Sequence, residues 1–247
     1  MISFEGKSVL VTGGSRGIGK GIALRFAELG SARVAIGYLR NDRAAEETAA
    51  ELRALGAEPV LLRGNVGDPD KARALVEQAA PLDVVVSNAA TGVIRPVLEL
   101  EEKHWDWTMN GNARALLTLA RAAVPSMPEG SAIVAISSLG STRVLDDYAV
   151  VGVSKAALEA LVRYLAVELA PSGIRVNAVS AGLVETGALD YFERREEMIS
   201  FYRGRTPAGR LVEPRDVADA VCFLASPAAA MIRGQTVVVD GGYSVLA

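Results

Sequence analysis

The sequence predicts an α/β protein: a doubly wound, seven-stranded parallel sheet in a single domain. Three observations predict it. Short β-branched apolar runs alternate with longer Ala/Leu/Glu/Arg-rich segments along the whole chain. The apolar runs lack in/out alternation, as strands covered on both faces do. Alternation of strand and helix repeated this often implies right-handed βαβ crossovers in one sheet.

In order, the strands are SVLVT (8–12), RVAIGY (33–38), EPVLLR (58–63), DVVVSN (83–88), AIVAIS (132–137), IRVNAVS (174–180) and TVVVD (236–240). Helical period places helices near 17–29, 41–55, 68–80, 104–126, 150–170 and 213–225, several stopped by glycine, as at Gly30, Gly56 and Gly173. The segment 184–212 breaks this rhythm and carries Arg194, Arg195, Arg203, Arg205 and Arg210 against Glu185, Glu193, Glu196 and Glu197. Insertions beyond the carboxyl ends of the strands overhang the ligand crevice, so this segment is expected to be a mobile lid.

Composition narrows the function. The chain has 247 residues, is 50% hydrophobic and 22% charged, and has a mean hydropathy of +0.25, which excludes extensive disorder. One histidine (His104) and one cysteine (Cys222) leave no multi-histidine or cysteine metal site, so no metal is expected. Cys222 reads as a buried small hydrophobe, and its isolation fits a reducing, cytoplasmic setting. A net charge of −3 offers no nucleic-acid footprint. The apolar runs are too short for a membrane span, and Glu5 and Lys7 interrupt any leader-like opening.

Strand 8–12 runs into Thr12-Gly13-Gly14-Ser15-Arg16-Gly17-Ile18-Gly19 and then a helix. Glycines let the backbone turn sharply and approach a pyrophosphate, whose charge suits a helix N-terminus. Gly13, Ser15, Arg16, Gly17, Ile18 and Gly19 are therefore candidate cofactor ligands. The second strand ends Gly37-Tyr38-Leu39-Arg40-Asn41, without an acid until Asp42. An NAD site usually places an acid there for the ribose hydroxyls. Arg40 and Arg16, with Tyr38 beside them, suit a 2′-phosphate, so NADPH is expected over NADH; the alternative for both arginines is solvated surface charge.

Over essentially its whole length the sequence resembles a short-chain dehydrogenase/reductase. The residues that carry the resemblance are the turn Thr12–Gly19, Ser87-Asn88-Ala89-Ala90, Asn112, Ser138, Lys155, Asn177 and Asp240-Gly241-Gly242. The resemblance implies a Rossmann-like domain, a nicotinamide cofactor and a homotetramer. It also implies that Lys155 binds the nicotinamide ribose, that Asn88 and Ala89 line the adenosine side, and that Asn65 with Val66 lies by the adenine. Thr186 would hold the carboxamide, and Asn112 would kink its helix and hold a water near Lys155, with Asn110 a competing candidate. Ser87 and Ala90 depart from the usual Asn and Gly, and Ser180-Ala181 replaces the usual Pro before Gly182.

The family's tyrosine four residues before the lysine is missing: Val151 stands there, and Tyr148 precedes Lys155 by seven positions. Tyr-x6-Lys resembles the NADPH-dependent enoyl-acyl-carrier-protein reductase branch, third type. Residues i and i+7 share a helix face but lie about 10.5 Å apart along the axis, against about 6 Å for i and i+4. A ketone needs its acid beside the carbon that receives hydride. An enoyl thioester receives hydride at the β-carbon while charge develops on an oxygen two carbons away, which a displaced phenol suits. Tyr148, Lys155, Ser138 and Asn112 are the candidate catalytic residues, with Tyr148 stabilising the enolate and Ser138 polarising the carbonyl. If Lys155 approaches the phenol, its charge lowers the phenol pKa.

The substrate implied is an acyl thioester of acyl carrier protein or CoA; the five lid arginines read as solvated charge or, alternatively, as a dock for an acidic carrier protein or the phosphates of its pantetheine arm. The rivals are a 3-oxoacyl or other carbonyl reductase and, because of Val151, a non-catalytic NADPH-binding protein. His104 is expected to cap or pack a helix, and Trp105 and Trp107 to be core or interface anchors.

Overall fold

All seven predicted strands lie in one parallel sheet in the order β3-β2-β1-β4-β5-β6-β7. The computed structural model describes residues 2–187 and 195–246. The strands are β1 (Ser8–Thr12), β2 (Arg33–Tyr38), β3 (Glu58–Arg63), β4 (Val84–Ser87), β5 (Ala132–Ser138), β6 (Arg175–Ala181) and β7 (Thr236–Val239). The helices are α1 (Gly17–Glu28), α2 (Asp42–Ala54), α3 (Pro69–Ala79), α4 (Glu102–Met109), α5 (Ala115–Ala123), α6 (Ala149–Glu168), α7 (Arg195–Arg205) and α8 (Pro214–Ala225).

Unbroken apolar strands feed two cores. Val9, Val11, Val34, Ile36, Val84 and Val86 pack with α1, α2 and α8 on one face. Leu10, Ala35, Val85, Ile133 and Ala135 pack with α3, α5 and α6 on the other. Each such valine, leucine or isoleucine, fully buried, contributes about 1.5–3 kcal/mol. Across the first face α1 meets α8 closely: a Cβ on Gly21 would lie 2.8 Å from Pro214 Cβ. From β1 the sheet winds one way to β3 and the other way to β7. The crevice this reversal creates opens above the carboxyl ends of β1 and β4, where ligands bind in such sheets.

Two features that helical period did not mark, the first a kink the resemblance implied at Asn112, matter for the site. The helix predicted over 104–126 is interrupted by a π-helical turn at Asn110–Arg114, between α4 and α5. Asn112 causes it: the side chain is drawn to the Thr91 backbone and to Ser154, and the chain accommodates this with wider i→i+5 bonding. In the lid segment, α7 was not foreseen, and a parallel bridge between Val184 and Val212 closes the base. Arg194 and Glu193 lie outside the described residues.

Trp105 and Trp107 are 47% and 51% exposed, which corrects the core alternative for both. His104 accepts the Glu101 N–H in a capping box that starts α4. Cys222 is buried. Among the described residues, no helix is long and apolar enough to cross a membrane.

Candidate active site

The glycine turn leaves β1 in a shape that a side chain would destroy. Gly13 and Gly17 have φ of +67° and +54°. A Cβ on Gly19 would sit 2.2 Å from the Gly13 carbonyl oxygen and 2.5 Å from Asn88 Nδ2. At the start of α1, Arg16 provides no side-chain cap and the first turn holds no acid. Its orphan N–H groups and positive dipole end are thus offered to an anion. These features fit a dinucleotide pyrophosphate.

Asn88 and Ala89 brace this turn from β4. Asn88 Nδ2 donates to the Thr12 carbonyl at 2.8 Å and to that of Gly13 at 3.3 Å. Thr12 Oγ1 accepts the N–H groups of Asn88 and Ala89, each at 3.0 Å, and donates to the Val86 carbonyl. The Ser15 carbonyl accepts the Thr48 hydroxyl at 3.1 Å, fixing the turn against α2. Thr186 lies across the turn, its Cγ2 3.3 Å from where a Cβ on Gly17 would be.

At the end of β2, Asp42 is already engaged. Arg63 donates to it at 3.3 Å, and burial, reinforced by a hydrogen bond to Asp42, raises the pKa of the Tyr38 phenol. Arg16 and Arg40 are exposed at the turn and strand end. Asn65 Oδ1 accepts the Gly67 N–H at 3.0 Å, shaping the loop that also holds Val66.

Three consecutive residues at the end of β5 organise the start of α6. The Ile136 carbonyl accepts Lys155 Nζ at 2.8 Å. The Ser137 hydroxyl donates to the Glu159 carboxylate. The Ser138 hydroxyl hydrogen-bonds with the Tyr148 phenol and accepts the Gly140 N–H at 3.3 Å. Asn112 ties the π-turn to this cluster: its Nδ2 donates to the Thr91 carbonyl at 2.9 Å and to Ser154 Oγ at 2.8 Å, while its Oδ1 accepts the Thr91 N–H. The amide is thus committed to protein partners next to Lys155.

Tyr148 is the N-cap residue of α6, and its ring lies over Gly140, where a Cβ would stand 2.6 Å from Cδ1. Asp147 before it is held at φ +57°, a left-handed conformation costing a non-glycine residue about 1–2 kcal/mol. Val151, 7% exposed, fills the position four before Lys155; a Cβ on Gly92 would lie 2.2 Å from its Cγ2. The site is apolar where the ordinary tyrosine would be.

The charge reading of Tyr148 needs correction. Burial holds the phenol above its usual pKa, opposed by the hydrogen bond with Ser138, and Lys155 is not among the groups that shift it. Lys155 Nζ is turned to Ile136, so the phenol stays neutral and able to donate. Burial pulls Lys155 down to about 8, opposed by Glu159.

Sequence reasoning missed four residues here. Ser137 and Glu159 could have been found, since Glu159 follows Lys155 by four positions on the buried face of an apolar helix. Tyr202 of α7 and Tyr243 of the C-terminal turn carry no such signal. Their rings stack at 4.6 Å and 22°. Burial, then Tyr243, Asp146 and Tyr148, push the Tyr202 phenol up to about 12, so α7 brings an aromatic wall to Tyr148. Two lid arginines are engaged by acids near them: Arg195 pairs with Glu185 and Glu196, and Arg210 forks onto Asp216 at 2.6 and 2.8 Å. Arg205 lies 5.4 Å above the Phe201 ring.

A glycine turn at the switch point, with a serine, a phenol and an ammonium gathered one strand beyond, defines a dinucleotide-dependent oxidoreductase. The family model described as enoyl-(acyl carrier protein) reductase matches residues 13–244. A 1-cyclohexenylcarbonyl-CoA reductase from Streptomyces collinus is 39% identical over 96% of this chain and 87% of its own. A 3-oxoacyl-[acyl-carrier-protein] reductase from Staphylococcus aureus is 34% identical over 96% and 97%. Among solved structures, a short chain dehydrogenase from Burkholderia cenocepacia in complex with NADP superimposes with a TM-score of 0.90 at 34% identity, covering 98% and 99% of the two chains. The chain belongs to the short-chain dehydrogenase/reductase superfamily, whose members are NAD(P)-dependent oxidoreductases.

Proposed function

We propose that this protein reduces the C=C bond of a trans-2-enoyl thioester, with NADPH as the reductant. The observation that carries the reading is the displaced phenol: Tyr148 stands at the mouth of α6 against Ser138, while Val151 occupies the place next to Gly92 that an acid for ketone reduction would need. NADPH is supported by the NADP complex of the Burkholderia relative and by exposed Arg16 and Arg40 flanking an Asp42 already engaged by Arg63 and Tyr38. Gly13, Gly17, Ile18 and Gly19 would hold the pyrophosphate, Lys155 the ribose and Thr186 the carboxamide. When bound, the nicotinamide supplies the hydride for the β-carbon. Tyr148, neutral because it is buried, donates to the thioester oxygen as negative charge develops there, and Ser138 orients the phenol. The 39% identity to a reductase of a conjugated cyclic acyl-CoA supports a conjugated thioester as substrate.

The decisive experiment follows NADPH oxidation with crotonyl and acetoacetyl thioesters, on the native protein and on Tyr148→Phe. Enoyl turnover lost in the variant is the expected result. Brisk acetoacetyl reduction with no crotonyl turnover would establish ketone reduction instead, which the Staphylococcus relative and the Ser138–Tyr148 hydrogen bond favour as the second reading.

A homotetramer fits the exposed apolar side chains of α6, with Val153 at 44%, Tyr164 at 70% and Val167 at 76%, and light scattering on the purified protein tests it. For carrier docking, Arg203 near the end of α7 is the candidate, with Arg194 and Arg195 where the helix begins in the sequence. Replacing all three with Ala should weaken turnover of carrier-bound substrate and spare a short thioester.

A further inference from the structure

We propose that Glu159 is a positioning residue whose buried carboxylate, one helical turn along α6, keeps Lys155 charged beside the cofactor. Lys155 and Glu159 are 5% and 8% exposed, one helical turn apart on the same face of α6. Adjacent residues of β5 grip them: the Ile136 carbonyl takes Lys155 Nζ at 2.8 Å, and the Ser137 hydroxyl fixes the direction of the Glu159 carboxylate.

A buried ammonium without a counter-charge gives up its proton rather than stay ionised. The groups that surround Lys155 from other elements are neutral. They are the Ile136 carbonyl that takes Nζ, the Ser137 hydroxyl next to it on β5, and Asn112 of the π-turn, bonded to Ser154 beside Lys155 in the chain. Among the described residues, Glu159 is the charge that acts on Lys155, in the direction that favours the ammonium. Ser137 and Glu159 thereby hold a cation in an apolar interior without touching substrate. The inference rests on NADP(H) binding beside Lys155 and is independent of whether C=C or C=O is reduced.

The test is the pH dependence of NADPH dissociation, measured by fluorescence titration from pH 6 to 9.5 without substrate. The native protein should weaken as pH rises through about 8, where Lys155 loses its proton. Glu159→Gln keeps the size and the bond from Ser137 but removes the charge. Its alkaline limb should fall about one pH unit lower, giving about fivefold weaker binding at pH 8 and about tenfold at pH 9, with parity near pH 6. Glu159→Asp keeps the charge and loses the reach to Ser137; its limb should stay near that of the native protein even if it melts earlier. A Gln variant whose limb coincides with the native one, or whose affinity drops equally at every pH, overturns the proposal. If the Gln variant does not fold, as loss of a buried counter-charge can cause, Glu159→Asp decides: an Asp limb about one pH unit below the native one overturns the proposal. A native protein with no alkaline limb removes Lys155 from the cofactor site, and the inference goes with it; the substrate assays remain unaffected.

Discussion

Tyr202 of α7 stacks on Tyr243 of the C-terminal turn, ring centroids 4.6 Å apart, and so fixes the lid helix above Tyr148. Aromatic pairs of this kind contribute about 0.5–1.5 kcal/mol beyond their area. Tyr243→Ala removes the stack without touching the glycine turn. The expected outcome is a five- to tenfold rise in KM for the thioester, in line with a loss of about 1 kcal/mol, with NADPH affinity unchanged. Steady-state kinetics beside a fluorescence titration separates the two; an unaltered KM would detach the stack from substrate binding.

The glycine turn predicts a contrast between two alanine substitutions. A Cβ at Gly19 would meet the Gly13 carbonyl at 2.2 Å, a backbone atom that cannot yield without moving the turn, whereas a Cβ at Gly204 has nothing within 4 Å. Gly19→Ala should lose NADPH affinity by about a hundredfold or more, and Gly204→Ala should bind as the native protein does. Isothermal titration with NADPH measures both, and similar affinities for the two variants would mean that the cofactor lies elsewhere.

The strands were legible because burial on both faces leaves an unbroken apolar signature, as in VVVS at 84–87, and the glycine turn because its backbone conformation restricts residue type. The resemblance implied a kink at Asn112, but helical period alone did not carry the π-turn. It arises from the bonds of Asn112 to Thr91 and Ser154, contacts between distant parts of the chain that helical period cannot encode. The Tyr148–Lys155 spacing was readable, but its electrostatic consequence was not. Six residues of α6 separate the two groups, and only the folded chain shows Lys155 Nζ turned to Ile136 and Tyr148 paired with Ser138. The aromatic wall of Tyr202 and Tyr243 likewise depends on where α7 comes to rest.

Asn112→Ala should destabilise the protein by removing a junction. The substitution leaves the Thr91 backbone groups without their amide partner and takes from Ser154 Oγ one of its two hydrogen bonds, in a region where Asn112 is 1% exposed. Orphaning buried polar groups costs about 1–3 kcal/mol each. A melting temperature lower by about 5–10 °C is expected for a chain of this size, together with reduced turnover as α6 loosens around Lys155. Differential scanning calorimetry and the NADPH assay on one preparation read both; a native melting temperature would show that the π-turn holds without its asparagine.

The fork from Arg210 to Asp216 makes a prediction about acid stability. Asp216 accepts both Arg210 nitrogens and caps the start of α8 through the Glu213 N–H at 2.9 Å, and the arginine holds its carboxyl below the usual carboxylate range. A carboxylate with a depressed folded pKa adds stability that is fully present above its unfolded pKa, near 3.9, and is lost as pH falls through the folded value. Arg210→Met should therefore melt below the native protein at pH 7. The gap should narrow as the pH drops below about 4, because protonated Asp216 has nothing left for Arg210 to stabilise. Thermal melts of both proteins from pH 7 to pH 3 test this, and a gap that stays constant with pH would assign the effect of Arg210 to the packing of its stem against the lid base, not to its charge.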